Sequence, residues 1–186
     1  MSHFDFKETP LKGLKVIQRK RVEDHRGFLS RFFCSEEFSD LGLLENIAQI
    51  NHTLTRQIGA VRGLHFQTPP FAETKTVCCL KGEIFDVAVD LRRDSKTFLQ
   101  WHGEVLSADN GRSLYIPEGF AHGFQTLARD CELIYLHSAP YHQPSEGALS
   151  VNDPRLPIRW PLPITELSDR DSSHPFIDAD FEGLEL

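Results

Sequence analysis

The stretch EIFDVAVDL, at residues 83–91, predicts a β-strand. Every second residue from Phe85 to Leu91 is apolar, whereas Asp86 and Asp90 fall on the opposite face of an extended chain. A period of two is typical of a strand and differs from the 3.6-residue period of a helix. The stretch therefore predicts a strand of a β-barrel or a β-sandwich.

Strand patterns of the same kind recur at short intervals along the chain. They occupy residues 13–22, 28–33, 48–54, 60–66, 74–80, 98–106, 113–116, 123–128 and 131–137. Asp109-Asn110-Gly111 predicts a hairpin, because Asn-Gly readily adopts the positive φ angles of a type I′ turn. The one predicted helix covers residues 35–44, with Ser35 as its N-cap and Phe38, Leu41, Leu43 and Leu44 toward the core. The predicted fold class is all-β with short peripheral helices.

Length and charge limit the class of protein. At 186 residues and 40% hydrophobic composition the chain suits one sizeable core, so residues 1–186 are predicted to form a single domain. The formal net charge of −7 argues against nucleic acid or an anionic membrane as a partner. No apolar run reaches the ~20 residues of a membrane span and the start MSHFDFKETP lacks a signal-peptide core, which predicts a cytoplasmic protein.

The frequent prolines after Pro140 are expected of a tail that wraps over a barrel.

The four cysteines do not form a recognisable disulfide or zinc pattern. Cys78 and Cys79 are adjacent within an apolar stretch, and neither they nor Cys34 and Cys131 have CxxC spacing. Buried free thiols are therefore predicted.

Two spaced motifs resemble the metal-binding motifs of the cupin fold, but two of the metal ligands are replaced. Gly59 is followed after five residues by His65, and residues 111–122 carry the second motif, Gly-x5-Pro-x-Gly-x-x-His, without change. The second histidine of the first motif is Gln67, and its glutamate is Lys75. A protonated amine cannot ligate a divalent cation and repels it. The sequence therefore predicts a metal-free site with no cofactor.

A longer series of motifs runs in order from about residue 10 to residue 175. It consists of Asp24-His25-Arg26-Gly27-Phe28, Gln49-x-Asn51, Arg62-Gly63-Leu64-His65-Phe66-Gln67, Gly82-Glu83-x-Phe85-Asp86-Val87-Ala88-Val89-Asp90, Ile116-Pro117-x-Gly119-Phe120-Ala121-His122-Gly123-Phe124, Asn152-Asp153-Pro154 with Trp160-Pro161, and Leu167-Ser168-x-x-Asp171. This series resembles the dTDP-4-dehydrorhamnose 3,5-epimerase family. The resemblance implies a metal-independent cupin jelly roll, a homodimer that exchanges N-terminal strands, and epimerisation of a nucleotide-linked 4-keto-6-deoxy sugar.

Epimerisation beside a ketone needs a base, an electrophile for the enolate oxygen, and an acid on the opposite face. The resemblance implies that His65 is the base and that Asp171 orients it. It implies Tyr135 as the acid. Lys75 is the predicted electrophile, because a cation in a site of reduced dielectric stabilises a developing oxyanion.

Three of these side chains also have a purely structural interpretation. Lys75 could be a solvated residue at a strand edge, although its six-residue spacing to Gly82 and the lost metal ligand favour a role in the pocket. Pattern alone makes Tyr135 equally compatible with a buried tyrosine of the barrel lining. His122 could be a core histidine, but its place in the second cupin motif indicates a polar contact with the sugar.

The resemblance also implies the side chains that bind substrate. Arg26 and Arg62 occupy family positions for contact with the nucleotide or its diphosphate, for which planar cations are suited, and Arg170 stands where the family usually has lysine. Each of the three could also be an ordinary surface arginine. The remaining predicted contacts are Phe28 and Arg31 on the nucleobase-binding strand, Gln49 and Asn51 on one strand face, and Tyr141 and Glu146 in the loop after the Tyr135 strand.

Two departures from the family pattern limit how closely the substrate can be named. Arg31 stands where a glutamate is typical, and Glu73 stands where a glutamine is common. Arg31 is equally compatible with a surface substitution that has no effect on specificity. Rival functions are an epimerase acting on one carbon, a ketoisomerase, and a sugar-nucleotide binding cupin without activity. Gln67 and Lys75 argue against a metal-dependent oxygenase.

Overall fold

The computed structural model of the chain describes residues 2–40, 43 and 46–186. Its strands are β1 (Phe4–Glu8), β2 (Lys15–Arg19), β3 (Arg21–Asp24), β4 (Gly27–Ser30), β5 (Gln49–Thr55), β6 (Val61–Gln67), β7 (Lys75–Lys81), β8 (Glu83–Asp90), β9 (Trp101–Ser107), β10 (Arg112–Ile116), β11 (Phe120–Thr126), β12 (Cys131–His137) and β13 (Glu146–Ala148). Its α-helices are α1 (Ser35–Ser39) and α2 (Asp169–Ser172). Within the described ranges no helix has the length and apolar character needed to cross a membrane.

Two antiparallel sheets face each other and form the body of the fold. One has the strand order β1-β2-β10-β7-β12-β5, and the other has the order β13-β6-β11-β8-β9. The core between them takes Val77 and Leu133 from the first sheet and Ala88 and Phe124 from the second. This two-sheet arrangement with crossovers between the sheets is the cupin-type jelly roll, and it confirms the predicted all-β fold class.

Other parts of the chain cover the outer faces of both sheets. Val87 and Val89 of β8 point away from the barrel interior and pack with the C-terminal segment, which contributes Trp160 and Leu184. The six-stranded sheet is covered by α1, where Phe38 packs in a cluster with Tyr115 and neighbouring apolar residues. Because both faces of each sheet are covered, the residues on both faces of a strand can be buried.

The period-two pattern of β8 correctly predicts which residues share a face. Val87, Val89 and Leu91 belong to the outer cluster, and Phe85 packs against it. Asp86 and Asp90 on the other face are completely buried instead of solvated. Buried carboxylates require hydrogen-bond partners. Asp90 accepts hydrogen bonds from Arg92, Ser95 and Thr97, and Asp86 contacts His122.

Two local predictions were wrong in detail. The helix begins after Cys34, which occupies the N-cap position without a side-chain cap, and it ends at Ser39; Leu41 and Leu44 lie outside the described residues. The turn at Asn110-Gly111 exists, but it joins β9 to β10 in the opposite sheet, so it is not a hairpin. The Asn110 side chain caps this turn by accepting hydrogen bonds from the backbone N–H groups of Ser107 and Arg112.

Several elements have no counterpart in the sequence-based predictions. The edge strands β1 and β13 and the short helix α2 were not expected. The four cysteines are free thiols as predicted; three are buried, and Cys34 is half-buried.

The β3–β4 hairpin stands apart from both sheets. It forms a two-stranded sheet of its own, in which Arg21 pairs with Ser30 and Asp24 with Gly27. Val22 and Leu29 on this hairpin are largely exposed. An isolated two-stranded hairpin is marginally stable in water, so this one needs further packing partners.

Candidate active site

A cavity of about 240 Å³ opens between the two sheets. Eight of the predicted site residues line it: Asn51, Arg62, His65, Lys75, His122, Tyr135, Tyr141 and Glu146. The other lining residues are Thr53, Phe66, Gln67, Glu73, Phe124 and His137. The jelly roll therefore gathers side chains from six strands and two connecting segments into one polar pocket.

His65 and Asp171 form a hydrogen-bonded pair at the pocket. The Nε2 atom of His65 on β6 lies 2.8 Å from Oδ1 of Asp171 on α2. Ser168 caps this helix, because its side-chain oxygen accepts a hydrogen bond from the backbone N–H of Asp171. The serine of the Leu-Ser-x-x-Asp motif thus fixes the helical turn that presents the carboxylate to His65.

The Asp171 carboxylate is held ionised by its surroundings. Burial opposes ionisation, but the hydrogen bond and charge of His65 and the backbone N–H of Gly63 lower the pKa of Asp171 below its usual value. His174 adds a contact of 3.2 Å between its Nε2 and Oδ1 of Asp171. Burial, followed by the charge of His65, lowers the pKa of His174, which favours the neutral ring at this position.

Gly63 explains why β6 can lie so close to β11. Its φ is +131°, and a Cβ atom there would lie 2.6 Å from Cα of Gly123 on β11. Only glycine tolerates this contact. Two residues later, His65 pairs with His122 of β11 in register, so the close approach brings both imidazoles to the same end of the pocket.

Tyr135 lies on β12, in the sheet that faces His65. Its side chain is almost completely buried, and burial raises the pKa of its hydroxyl well above the usual value. The ring meets that of His122 edge-on, with 6.1 Å between centroids. Tyr135 therefore holds its proton firmly at neutral pH.

Lys75 is the first residue of β7, and its side chain extends into the pocket and forms an ion pair there. Its Nζ atom lies 3.1 Å from Oε1 of Glu73, and the two side chains are 10% and 8% exposed. The other carboxylate oxygen of Glu73 lies 2.9 Å from Nδ1 of His137 on β12. Lys75 is thus a buried pocket cation, which differs from the solvated strand-edge interpretation.

His122 is bonded to a carboxylate that the sequence-based site did not include. Its Nε2 atom lies 2.7 Å from Oδ1 of Asp86 on β8, which is completely buried. Burial raises the pKa of Asp86 despite the opposing charges of His122 and Lys75. The sequence shows Asp86 as an acidic residue in an apolar strand, but it does not show that His122 on β11 is its partner.

Several predicted substrate contacts form a connected rim. Gln49 donates from its amide to Oδ1 of Asn51 and accepts from the backbone N–H of Tyr141. The Tyr141 hydroxyl donates to Glu146, which also pairs with Arg170. The hydrogen bond to Glu146 raises the pKa of Tyr141.

Arg26, Phe28 and Arg31 are not among the residues lining this chain's pocket. Arg26 is exposed on the β3–β4 hairpin and pairs with Asp24, and Phe28 is exposed beside it. Arg31 pairs instead with Glu37, Nη1 to Oε1 at 3.1 Å.

Three further residues in or beside the pocket were not assigned a role from the sequence. Glu73 was noted only as a departure from the family pattern, and His137 was not singled out. His174 gave no sequence signal, because its contact with Asp171 depends on one turn of α2. His65, Asp171 and His174 offer ligand atoms within 4.8 Å of one another, so they are close enough to hold a metal ion.

The chain is similar to sugar-nucleotide epimerases in sequence and in structure. The family described as dTDP-4-dehydrorhamnose 3,5-epimerase matches residues 8–179. The dTDP-4-dehydrorhamnose 3,5-epimerase of Sinorhizobium fredii is 42% identical over 175 residues, which cover 91% of this chain and 88% of that protein. The dTDP-6-deoxy-D-glucose-3,5-epimerase of Legionella pneumophila, in complex with dTDP-4-keto-L-rhamnose, has a TM-score of 0.91 at 37% identity and covers 99% of this chain and 100% of its own. A 3′-monoepimerase from Streptomyces bikiniensis, in complex with dTDP-quinovose, has a TM-score of 0.84 at 31% identity over 90% of this chain and 85% of its own.

Proposed function

The chain belongs to the dTDP-4-dehydrorhamnose 3,5-epimerase family, and on that premise we propose how its pocket performs the reaction. The reaction is epimerisation at C3 and C5 of dTDP-4-dehydro-6-deoxy-D-glucose, giving dTDP-4-dehydro-L-rhamnose. The observation that supports the assignment of roles is the placement of His65 and Tyr135 on strands of facing sheets around one cavity. Side chains on opposite walls can reach opposite faces of a sugar ring between them.

His65 removes the proton next to the C4 ketone. Its Nε2 atom is engaged by Asp171, so Nδ1 is the ring nitrogen that accepts the proton. The C–H bond breaks, and its electron pair moves to O4 to form an enolate. Asp171 stabilises the imidazolium that results, because its carboxylate is kept ionised.

Lys75 stabilises the enolate oxygen. Its ammonium is buried at the pocket wall, where reduced dielectric strengthens its attraction for a developing negative charge. His122, held by Asp86, offers a second polar contact to the sugar. No metal ion is needed for this step, because the cation is supplied by the protein.

Tyr135 returns a proton from the opposite wall and inverts the carbon. Its hydroxyl O–H bond breaks as the new C–H bond forms, while the enolate electron pair returns from O4 to regenerate the ketone. His65 then releases its extra proton to solvent, and the Tyr135 phenolate takes one up. The high pKa of the buried hydroxyl ensures that the proton is present when the enolate forms. The same pair acts on C3 and C5 in turn when the ring presents each carbon.

The nucleotide end of the substrate binds at the rim. Arg62 lies at the pocket, and Arg170 with Glu146 and Tyr141 lies beside it. The two arginines suit a diphosphate, and the aromatic ring of Tyr141 suits a nucleobase.

The remaining predicted contacts come from a second copy of the chain. The β3–β4 hairpin exposes Val22, Phe28 and Leu29, and the edge strand β5 exposes Ile50 and Leu54. A free edge and an apolar hairpin are both normally covered in a native protein. In the proposed homodimer the two subunits exchange hairpins, and each delivers Arg26 and Phe28 to the other's pocket. Arg31 is delivered with them, although its charge is already paired with that of Glu37. The cytoplasm remains the predicted location.

A panel of nucleotide sugars in heavy water tests the proposed substrate. The dTDP-, UDP- and GDP-linked 4-keto-6-deoxyhexoses are incubated with enzyme in D₂O, and deuterium at C3 and C5 is followed by NMR. We expect the dTDP sugar to be labelled fastest. Faster labelling of another nucleotide sugar would contradict the assignment and implicate the altered residues Arg31 and Glu73.

A further inference from the structure

Glu73 is a buried carboxylate in the pocket that the reaction described above does not use. Its side chain is 8% exposed and lines the cavity. One oxygen lies 3.1 Å from Nζ of Lys75, and the other lies 2.9 Å from Nδ1 of His137. Both oxygens are therefore occupied by groups of the pocket wall.

The contact matters because Lys75 has little solvent to stabilise its charge. Burial of an ammonium carries a desolvation cost that an anion in contact offsets, and the Lys75 side chain is only 10% exposed. In the described part of the chain, Glu73 is the one carboxylate that forms an ion pair with Lys75. The charge on Lys75 and the position of Nζ thus depend on Glu73.

Glu73 is itself held in place and ionised. Burial opposes its ionisation, but the hydrogen bond from His137 and the charge of Lys75 lower the pKa of Glu73 below its usual value. His137 is fixed from the other side by a 3.4 Å contact between its Nε2 and Nδ2 of Asn51. His137 and Lys75 are also register partners on neighbouring strands, so β7 and β12 hold all parts of the cluster together.

We propose that Glu73 is a positioning residue that keeps Lys75 protonated and directed at the enolate oxygen, an inference that rests on the proposed role of Lys75. Glu73 touches no reacting atom and acts through Lys75. Removing its charge therefore leaves the ammonium of Lys75 without its anionic partner in the pocket wall.

Other charged and titratable groups surround the cluster and stay unchanged in the test. They are Asp86 on β8, His122 on β11, His65 and Arg62 on β6, Tyr135 and His137 on β12, Glu146 on β13, and Tyr141 in the segment before β13. Burial raises the pKa of Tyr135 well above the alkaline range of an enzyme assay. A change in activity near pH 9 is therefore not explained by Tyr135.

The test is the pH dependence of kcat for Glu73→Gln, which keeps the shape of the side chain and removes its charge. We expect kcat of the variant relative to wild type to be about twofold or more lower at pH 9.5 than at pH 7, because the buried ammonium of Lys75 has lost the anion that stabilises its charge. KM should change less than kcat. Superimposable pH profiles would overturn the inference.

Glu132→Gln is a matched control. Glu132 also bridges a histidine and a lysine, His52 at 3.1 Å and Lys81 at 3.6 Å, but it lies at the surface end of β12. Its replacement removes the same charge and should leave the pH profile unchanged. An equal shift of the pH profile in this control would mean that Glu73→Gln acts only through the overall charge of the protein, and the inference would fail.

Lys75→Met separates this inference from the proposed reaction. If Lys75→Met retains wild-type kcat, the proposed role of Lys75 fails. If Lys75→Met is inactive but Glu73→Gln keeps the wild-type profile, only the role of Glu73 fails. The double variant Lys75→Met/Glu73→Gln should unfold at a higher temperature than Lys75→Met alone, because the single variant leaves a buried carboxylate without its cation.

Discussion

The Nε2 atom of His65 lies 2.8 Å from Oδ1 of Asp171, although the two residues are 106 positions apart in the chain. The contact joins β6 to a helical turn of the C-terminal segment, so it forms only when that segment packs against the sheet. It orients the imidazole and leaves Nδ1 free to accept a proton. If His65 is the base, as we propose, its orientation depends on correct folding of the C-terminal segment.

Replacing the base should stop proton exchange. His65→Ala is expected to abolish deuterium uptake from D₂O at both C3 and C5, because the first proton removal fails. Asp171→Asn should keep the fold and lower kcat by about 10²-fold or more, since the imidazole loses an orienting and charge-stabilising partner. Circular dichroism provides the check on folding. Near-normal labelling by the His65 variant would refute its assignment as base.

Removing the acid should separate exchange from inversion. In Tyr135→Phe the enolate can still form at His65, so deuterium uptake should persist while inversion falls strongly. NMR of the sugar ring measures both quantities in one sample. Equal loss of exchange and inversion would show that Tyr135 supports binding or enolate formation instead.

Activity should not depend on a metal ion. Because Lys75 occupies the position of a metal ligand and supplies the positive charge itself, dialysis against EDTA is expected to leave kcat unchanged. His65, Asp171 and His174 are the residues to inspect if a metal is found. One tightly bound zinc, iron or manganese per chain by elemental analysis, with activity lost on its removal, would contradict this prediction.

Exchange of the β3–β4 hairpins predicts complementation between two inactive variants. His65→Ala has a defective pocket, and Arg26→Ala has a defective hairpin. A mixed dimer contains one site with both parts intact, so refolding equal amounts together should restore about a quarter of wild-type activity by random pairing. If Arg26 instead served its own chain, mixing would give no more activity than the two variants separately.

The sequence predicts the strands well because their signal is local. Alternating apolar residues in β8 identify its two faces, and the glycine spacing around His65 and His122 identifies the strands that carry the pocket. The Asn110-Gly111 hairpin was wrong because a turn signal does not say which sheet receives the next strand. Ser35 was wrong as an N-cap because it is the first residue of α1, and the N-cap position is occupied by Cys34, whose side chain makes no capping hydrogen bond.

The site is less predictable because it depends on contacts across the fold. Asp171 was paired with His65 only through the family resemblance, since no local pattern connects residues so far apart. The ion pair of Glu73 with Lys75 and His137 brings together a loop and two strands. The proposed contribution of Arg26 and Phe28 requires a second chain, and no pattern within one chain predicts such a contact.

The most direct test is the wild-type reaction with dTDP-4-dehydro-6-deoxy-D-glucose in D₂O, with NMR of the product. If His65 and Tyr135 work from opposite walls on each carbon in turn, the product carries deuterium with inverted configuration at both C3 and C5. Label and inversion at only one carbon after prolonged incubation would contradict this account and identify an epimerase that acts on a single centre.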